Sequence, residues 1–339
     1  MEAEGVELLA GLDDLAVMGF VEVVSRFRFF HRLKRRLGAL LDSGGVDLVL
    51  PVDYPGLNLR VARAAHRRGV PVLYYIAPQV WAWRAGRARK LARWCDHVAV
   101  ILPFEAAALR EAGARVTFVG HPLLDRPDGV PDRARFAARW GLDPARPILA
   151  LLPGSRRQEI GRHLSVFLEA ARRVRDTLPG VQPVLARAAS VTRAWLAAAD
   201  AGGTADVTVV DDTRALLRHA TAALVKSGTS TLETALEGTP FVTVYRTHPL
   251  TYRLARRLVR VEHIALANLV AGRAVVPEVL QRDATPRRLA DLLLPLLDEG
   301  SEAHRRQSEA LGAIRGALGS PGVAERVAEL AAGLLEAAP

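Results

Sequence analysis

The chain has 339 residues, and at roughly 150 residues per domain this length predicts two domains, each long enough to bury a core. Half the residues are hydrophobic, and 46 Lys and Arg stand against 36 Asp and Glu, a net +10 with both signs spread along the chain, which excludes a disordered polymer. No run of about 18 uncharged apolar residues occurs. Glu2, Glu4 and Glu7 stand where a signal peptide would be basic, so a cytoplasmic chain is expected. The single Cys95 cannot form an internal disulfide and lacks the Cys and His company of a zinc site.

The first distinctive segment is Met18–Leu37. Phe20, Val21, Val23, Val24, Phe27, Phe29 and Phe30 are interleaved there with Arg26, Arg28, Arg32, Lys34, Arg35 and Arg36, and no acid follows Glu22. Such a segment suits an anionic membrane surface, where each basic side chain contributes about 1 kcal/mol. A helix packed on a sheet with a solvated basic edge is the alternative. Nucleic acid is a third destination for the charge, but no recognised nucleic-acid module accompanies it.

From Val46 onward, short aliphatic runs alternate with helical patterns, the signature of parallel sheets covered by helices. Strands are expected at Val46–Val52, Val70–Ile76, His97–Leu102 and Arg115–Val119, with helices such as Leu57–Arg68 and Arg84–Trp94. The runs are continuously apolar, as strands buried on both faces are. Prolines 122, 127, 131, 144 and 147 then mark a linker. The alternation resumes with strands at Ile148–Leu152, Gln182–Leu185, Val207–Val210, Ala222–Val225 and Phe241–Tyr245, and helical sequence follows Pro286. The class is α/β, with two doubly wound domains. A domain of this kind ordinarily opens with a strand, a Gly-rich turn and a helix. None precedes Val46, so the first domain reads as N-terminally truncated.

Ligands of open α/β sheets bind beyond the carboxyl ends of the strands, and the unusual residues fall there. Gly154-Ser155-Arg156 follows one expected strand; its free N–H groups and guanidinium suit a diphosphate, or it is an ordinary strand-to-helix turn. Ser227-Gly228-Thr229 follows another, although Ser230-Thr231-Leu232-Glu233 also reads as a capping box. Together the two turns favour a nucleotide diphosphate. Neither matches the P-loop or dinucleotide fingerprint. Asp53 is either a general base or a turn residue before Tyr54-Pro55. His121 is either a ligand or filler between Gly120 and Pro122. Asp211-Asp212 reads as a helix cap rather than a metal pair. No metal or cofactor is expected. One ring of Trp81-Ala82-Trp83 is expected in the core.

Ala16–Val23, Asp53–Asn58, Pro78–Arg84, Leu102–Glu105, Phe118–Pro122, Leu151–Arg156, Ser227–Glu233 and Asn268–Arg273 together resemble, in order and spacing, the lipid-A-disaccharide synthases. The resemblance implies an inverting, metal-independent glycosyltransferase of the two-Rossmann (GT-B) architecture. It would join UDP-2,3-diacylglucosamine to 2,3-diacylglucosamine 1-phosphate, with Asp53 as base on the acceptor 6-hydroxyl and Arg156 on the donor diphosphate. Gly154, Ser155, Ser227, Gly228, Thr229, Glu233, Asn268 and Arg273 would line the donor site, and Asn58, Trp83 and His121 the acceptor side. The Phe20–Arg36 segment would face an anionic membrane. The implied division is residues 1–127, joined by a returning helix at about 320–339, and residues 128–319 for the UDP-sugar. The resemblance also allows a homodimer, and it departs from the family in lacking the opening Gly-Glu-x-Ser-Gly-Asp-type turn. A UDP-sugar epimerase on the same fold, or a non-catalytic binder of UDP-sugars or membranes, is the alternative.

Overall fold

The computed structural model describes residues 5–11, 27–79, 86–199, 207–249, 252–253 and 262–337. Phe20, Val21, Val23, Val24, Trp81 and Trp83, and the side chain of Phe27, lie outside the described residues.

Helices α1 (Phe27–Asp42) and α2 (Pro55–His66) come first, followed by β1 (Leu73–Tyr75), α3 (Gly86–Trp94), β2 (His97–Val100), α4 (Glu105–Glu111) and β3 (Val116–Phe118). The strands form a parallel sheet in the order β1-β2-β3. The expected strand at Val46–Val52 lies beside β1 but touches it only as bridges, Val49 to Val72 and Val52 to Tyr75. After a 3-10 turn at Pro122–Asp125 come α5 (Arg133–Trp140), β4 (Ile148–Leu152), α6 (Arg157–Thr177), β5 (Gln182–Ala186), α7 (Arg193–Ala199), β6 (Thr208–Val210) and α8 (Thr213–His219). Then follow β7 (Ala222–Lys226), α9 (Thr229–Leu236), β8 (Phe241–Tyr245), α10 (Leu266–Ala271), β9 (Glu278–Leu280), α11 (Pro286–Leu293), α12 (Glu302–Ala317) and α13 (Val323–Glu336). The second sheet is parallel, in the order β6-β5-β4-β7-β8-β9. Sequence reading did not anticipate β9. It is three residues long and opens on a glutamate, so it lacks the apolar run that marks the other strands.

Strand periodicity explains how one apolar run supplies two cores. All five residues of β4 are buried. Leu149 and Leu151 face Ile160, Leu164 and Phe167 of α6, while Ile148, Ala150 and Leu152 face Leu216, Leu232, Leu311 and Ile314 of the helices opposite. Each fully buried Leu or Phe of this kind stabilises the fold by about 1.5–3 kcal/mol. The first sheet repeats the logic, with Val72, Tyr74, Val98 and Val100 packing on Leu59, Leu91 and Leu109. Its other face, Leu73, Ala99 and Val119, is covered by Val323 and Val327 of α13.

The chain therefore crosses between the sheets twice, outward near residue 120 and back near residue 320. The crossings touch: His121 N–H donates to the Leu318 carbonyl at 3.0 Å, and Arg326 Nε donates to Val119 O at 2.9 Å. Gly120 has φ +87°, and a Cβ there would stand 3.2 Å from Arg326 Nη2 and 3.3 Å from the Ser320 carbonyl, so only glycine fits. The Asp125 carboxylate caps α13, accepting N–H bonds from Gly322 (2.8 Å), Val323 (2.9 Å) and Ala324 (3.2 Å). Partial burial works against its ionisation, yet these N–H groups and Arg326 hold it below the ordinary carboxylate value.

Asp125→Ala removes this cap and lowers stability to urea at neutral pH by about 0.5–2 kcal/mol. Because the native carboxyl is the stronger acid, its contribution is present above the ordinary aspartate value of 3.8 and lost as pH falls below it. The variant and the parent protein should therefore converge in acid; a difference independent of pH would exclude the charged cap.

Candidate functional site

In the second sheet the chain leaves β4 toward β5 and β6 on one side, and continues from β7 to β8 and β9 on the other. β4 and β7 are neighbours, with Leu152 opposite Val225, so the order reverses between them. The crevice at such a reversal, beyond the strand ends, is where open α/β sheets bind ligands. Two turns leave the sheet there, residues 153–156 into α6 and residues 227–228 into α9.

One carboxylate ties the turns together. Glu159, in the first turn of α6, folds back over Gly154: its Oε2 accepts the Ser155 N–H at 3.1 Å, and its Oε1 takes Arg156 Nη1 at 3.1 Å and Lys226 Nζ at 2.8 Å. Lys226 is the last residue of β7 and, like Glu159, has a side chain only 14% exposed. Gly154 has φ +121°, and a Cβ there would lie 2.7 Å from Glu159 Oε2. Burial raises the Glu159 carboxyl, but Lys226, the Ser155 N–H and Arg156 outweigh it and hold the group below its ordinary value. The arrangement seats an anion of the protein's own: a backbone N–H and two cations converge on the Glu159 oxygens. Sequence reading found Gly154, Ser155 and Arg156 but missed Lys226 and Glu159. Two signals were present, a lone cation closing the apolar run of β7 and a glutamate three residues after the helix N-cap at Arg156.

Ser227 and Gly228 stand beside this seat. Ser227 is buried, and its Oγ donates to the Ile264 carbonyl at 2.9 Å; Thr229, the first residue of α9, is exposed. Gly228 is the N-cap of α9, so no capping box forms at Ser230. Glu233 instead pairs with Arg126 at 2.9 Å, an ion pair that joins the outward crossing to α9. Asp212 does cap its helix, accepting the Ala215 N–H at 3.0 Å, and Asp211 pairs with Arg187 at 2.7 Å.

Asn268 is fully buried, and its amide makes four hydrogen bonds, donating to Val276 O and Glu278 Oε1 and accepting from the N–H groups of Val275 and Val276. That is the full capacity of a primary amide. Glu278 in turn accepts the Ile264 and Ala265 N–H groups, so Asn268 steadies the segment that receives Ser227. Arg273 is exposed and lines an opening of about 690 Å³ with Pro277, Leu296, Arg306 and Gln307, whose walls exclude the Gly154 and Ser227 turns.

Asp53 stands at the corresponding end of the first sheet, exposed. Asp53 and Tyr54 are both left-handed, at φ 46° and 42°, a conformation that costs of order 1–3 kcal/mol per residue outside glycine. The turn is held by Asn58, whose Nδ2 donates to Val52 O at 2.9 Å and Asp53 O at 2.8 Å, and by the Tyr74 hydroxyl, which donates to Asp53 O at 2.7 Å. Burial first, and the Asp53 carboxylate second, push the Tyr74 hydroxyl above its ordinary value. Asn58 thus holds the turn that carries Asp53. Phe29 and Phe30 are half-buried on α1, their rings edge to face at 5.4 Å. Among the described residues no group of three or more His, Cys, Asp or Glu is placed to hold a metal.

Two buried imidazoles flank these elements. His121 Nδ1 accepts the Leu123 N–H at 3.2 Å. His163 Nδ1 meets the Glu159 carbonyl at 2.8 Å and Nε2 meets the Arg246 N–H at 3.0 Å, which fixes a neutral ring protonated on Nδ1. Burial, reinforced at His121 by Arg126, lowers each ring to about 4. Between that value and the ordinary 6.5 the unfolded chain binds protons that the folded chain refuses. Stability to urea should therefore fall as pH drops through this interval. His163→Phe should lower stability throughout but flatten the slope between about pH 6.5 and 4; an unchanged slope would remove His163 from the effect.

A sequence profile described as lipid-A-disaccharide synthetase matches residues 1–318. The lipid-A-disaccharide synthase of Geobacter metallireducens is 44% identical over 97% of this chain and 85% of its own length. That of Syntrophus aciditrophicus is 42% identical over 99% of this chain and 88% of its own. Among solved structures, the UDP-GlcNAc 2-epimerase of Neisseria meningitidis bound to UDP-GlcNAc superposes with a TM-score of 0.63 at 11% identity, over 93% of this chain and 82% of that one. The α,α-trehalose 6-phosphate synthase of Burkholderia multivorans gives 0.56 at 15% identity, over 96% and 78%. At these identities the structures speak for a shared GT-B fold alone, whereas the sequence matches are specific: the chain belongs to the lipid-A-disaccharide synthetase family.

Proposed function

We propose that the chain is a lipid-A-disaccharide synthase, transferring 2,3-diacylglucosamine from UDP to the 6-hydroxyl of 2,3-diacylglucosamine 1-phosphate. The acceptor oxygen bonds to the donor's anomeric carbon from the face opposite the leaving group, so the configuration inverts. The bond from that carbon to the diphosphate breaks and its electron pair leaves with UDP. Asp53 takes the proton of the acceptor hydroxyl, a role suited to an exposed carboxylate on a turn that the structure keeps strained. The Ser155 N–H, Arg156 and Lys226 meet the charge that develops on the diphosphate. The observation that carries the reading is the anion seat at the strand-order reversal, where a backbone N–H and two cations already gather around one carboxylate.

In this reading residues 1–127, with α13, form the acceptor and membrane side, and residues 128–319 the donor side. Glu233 and the Ser227–Thr229 turn bound the nucleotide, Asn268 positions that turn, and His121 lies at the crossing. Arg273 belongs to the donor side. Arg28, Arg32 and Arg35, exposed one turn apart along α1, meet an anionic inner-membrane surface from the cytoplasm. No helix of the described residues is long and apolar enough to cross a bilayer. The chain pairs with a second copy, a state that sedimentation in neutral micelles tests. No nucleic acid takes part.

Asp53→Asn should lower kcat by about 10²–10⁴ and leave UDP affinity intact. Arg156→Ala and Lys226→Met should each weaken UDP binding by about tenfold, as the loss of a charge-assisted contact does. The assay separates a labelled disaccharide from monosaccharides. Isomerised monosaccharide as sole product would overturn the transferase, and full turnover in Asp53→Asn would remove Asp53 as base.

A further inference from the structure

Beside the Asp53 turn, between α1 and the first turns of α2, lies an opening of about 580 Å³. Phe30, Tyr54 and Leu57 give it apolar walls, Lys34 and Arg60 give it cations, His31 adds an imidazole, and Gly56 leaves room between them. Tyr54 directly follows Asp53 in the chain, so the opening adjoins the carboxylate that the transfer would use as base.

The position of Lys34 separates it from the other cations of its helix. Phe30, Lys34, Leu37 and Leu41 recur at i, i+4, i+7 and i+11, one stripe along α1, and Leu41 is buried. Lys34 is thus a cation at the edge of the apolar face, exposed beside the buried Leu33. Arg28, Arg32 and Arg35 run along a different face. Three nearby cations are occupied: Arg68 pairs with Asp42 at 2.7 Å, Arg36 with Glu7 at 3.4 Å, and Arg63 lies over the Trp94 ring at 5.5 Å. Lys34 and Arg60 have no acidic partner among the described residues. They stand on opposite walls of one opening, each one turn along its helix from an apolar or open position, Phe30 on α1 and Gly56 on α2.

An opening with apolar walls and two cations that have no acidic partner among the described residues fits an amphiphile that carries a phosphomonoester. We propose that this opening is the acceptor subsite, with Lys34 and Arg60 pairing the acceptor's 1-phosphate and Phe30, Tyr54 and Leu57 receiving an acyl chain. The proposal rests on the transferase reading for the identity of the acceptor. It commits to the substrate phosphate rather than to bilayer headgroups, because the two cations face an opening beside the candidate base, whereas the Arg28–Arg32–Arg35 stripe faces outward. Phosphate at one end of the sugar and the 6-hydroxyl at the other would then be held by separate groups, the cations here and Asp53 beside them.

The test measures binding of the acceptor to the full chain in neutral detergent micelles, with the phosphorylated acceptor and its dephosphorylated counterpart compared. Lys34→Gln/Arg60→Gln should weaken binding of the phosphorylated acceptor, and raise its KM, by about 10- to 100-fold, the loss of one or two charge-assisted contacts. Affinity for the dephosphorylated acceptor and for UDP should not change. Both side chains are exposed, and an unchanged thermal melt confirms that the variant folds. Equal losses for both acceptors, or no loss, would overturn the proposal. So would a variant that keeps its preference for the phosphorylated acceptor and loses only its hold on vesicles containing anionic phospholipid. If the parent protein binds the phosphorylated acceptor through these residues yet forms no disaccharide with UDP-sugar, the transferase reading fails and the subsite stands.

Discussion

The ion cluster around Glu159 is the constraint on which the two turns leaving β4 and β7 depend. A lysine at the end of a buried strand and an arginine at a helix start would repel each other if left alone at close range. The carboxylate between them removes that cost and also satisfies the Ser155 N–H. Gly154 must lack a side chain for the carboxylate to reach this position. The result is an ion cluster that is complete within the protein itself. Its supports extend outward, because His163 holds the carbonyl of the same glutamate and anchors the Arg246 N–H at the end of β8.

A second theme is the use of buried or half-buried amides as braces. Asn58 fixes two successive left-handed residues by bonding the carbonyls of Val52 and Asp53. Asn268 bonds four groups of the loop leading into β9, and Glu278 carries that order to the segment that accepts the Ser227 hydroxyl. In both cases the turn proposed to serve the reaction owes its shape to a side chain one layer behind it. Such layers keep a reactive group in place without drawing on the ligand's binding energy.

These braces explain what could and could not be read from the sequence. β4 and β8 match their expected limits, Ile148–Leu152 and Phe241–Tyr245, because a strand buried on both faces must be apolar throughout. The segment at 46–52 was foreseen as a strand, but it sits at the sheet edge, with Leu50 and Val52 exposed, and makes only isolated bridges. The diphosphate-type turn was visible because glycine, serine and arginine are conspicuous after a strand. Lys226 was not, since one cation after an apolar run looks like any strand end until its partner, 67 residues earlier, is seen beside it. Asn58 and Asn268 entered only through the family resemblance, as residues of the acceptor and donor sides; that their amides bond inward depends on where distant backbone groups lie, which spacing does not encode. The apparent capping box failed for a local reason, since Gly228 ends the extended backbone two residues before Ser230.

The returning helix also bears on how the molecule is made. One face of the three-stranded sheet, Leu73, Ala99 and Val119, is covered by Val323 and Val327, side chains that follow it by some 200 residues or more. A ribosome delivers those residues only after the whole six-stranded unit. The amino-terminal half must therefore emerge with an apolar surface bare, wait while the six-stranded unit is synthesised, and close only when the final helix docks. Contacts of such long sequence separation slow folding and prolong exposure to aggregation. Of the two sheets, the one translated earlier is the one covered later.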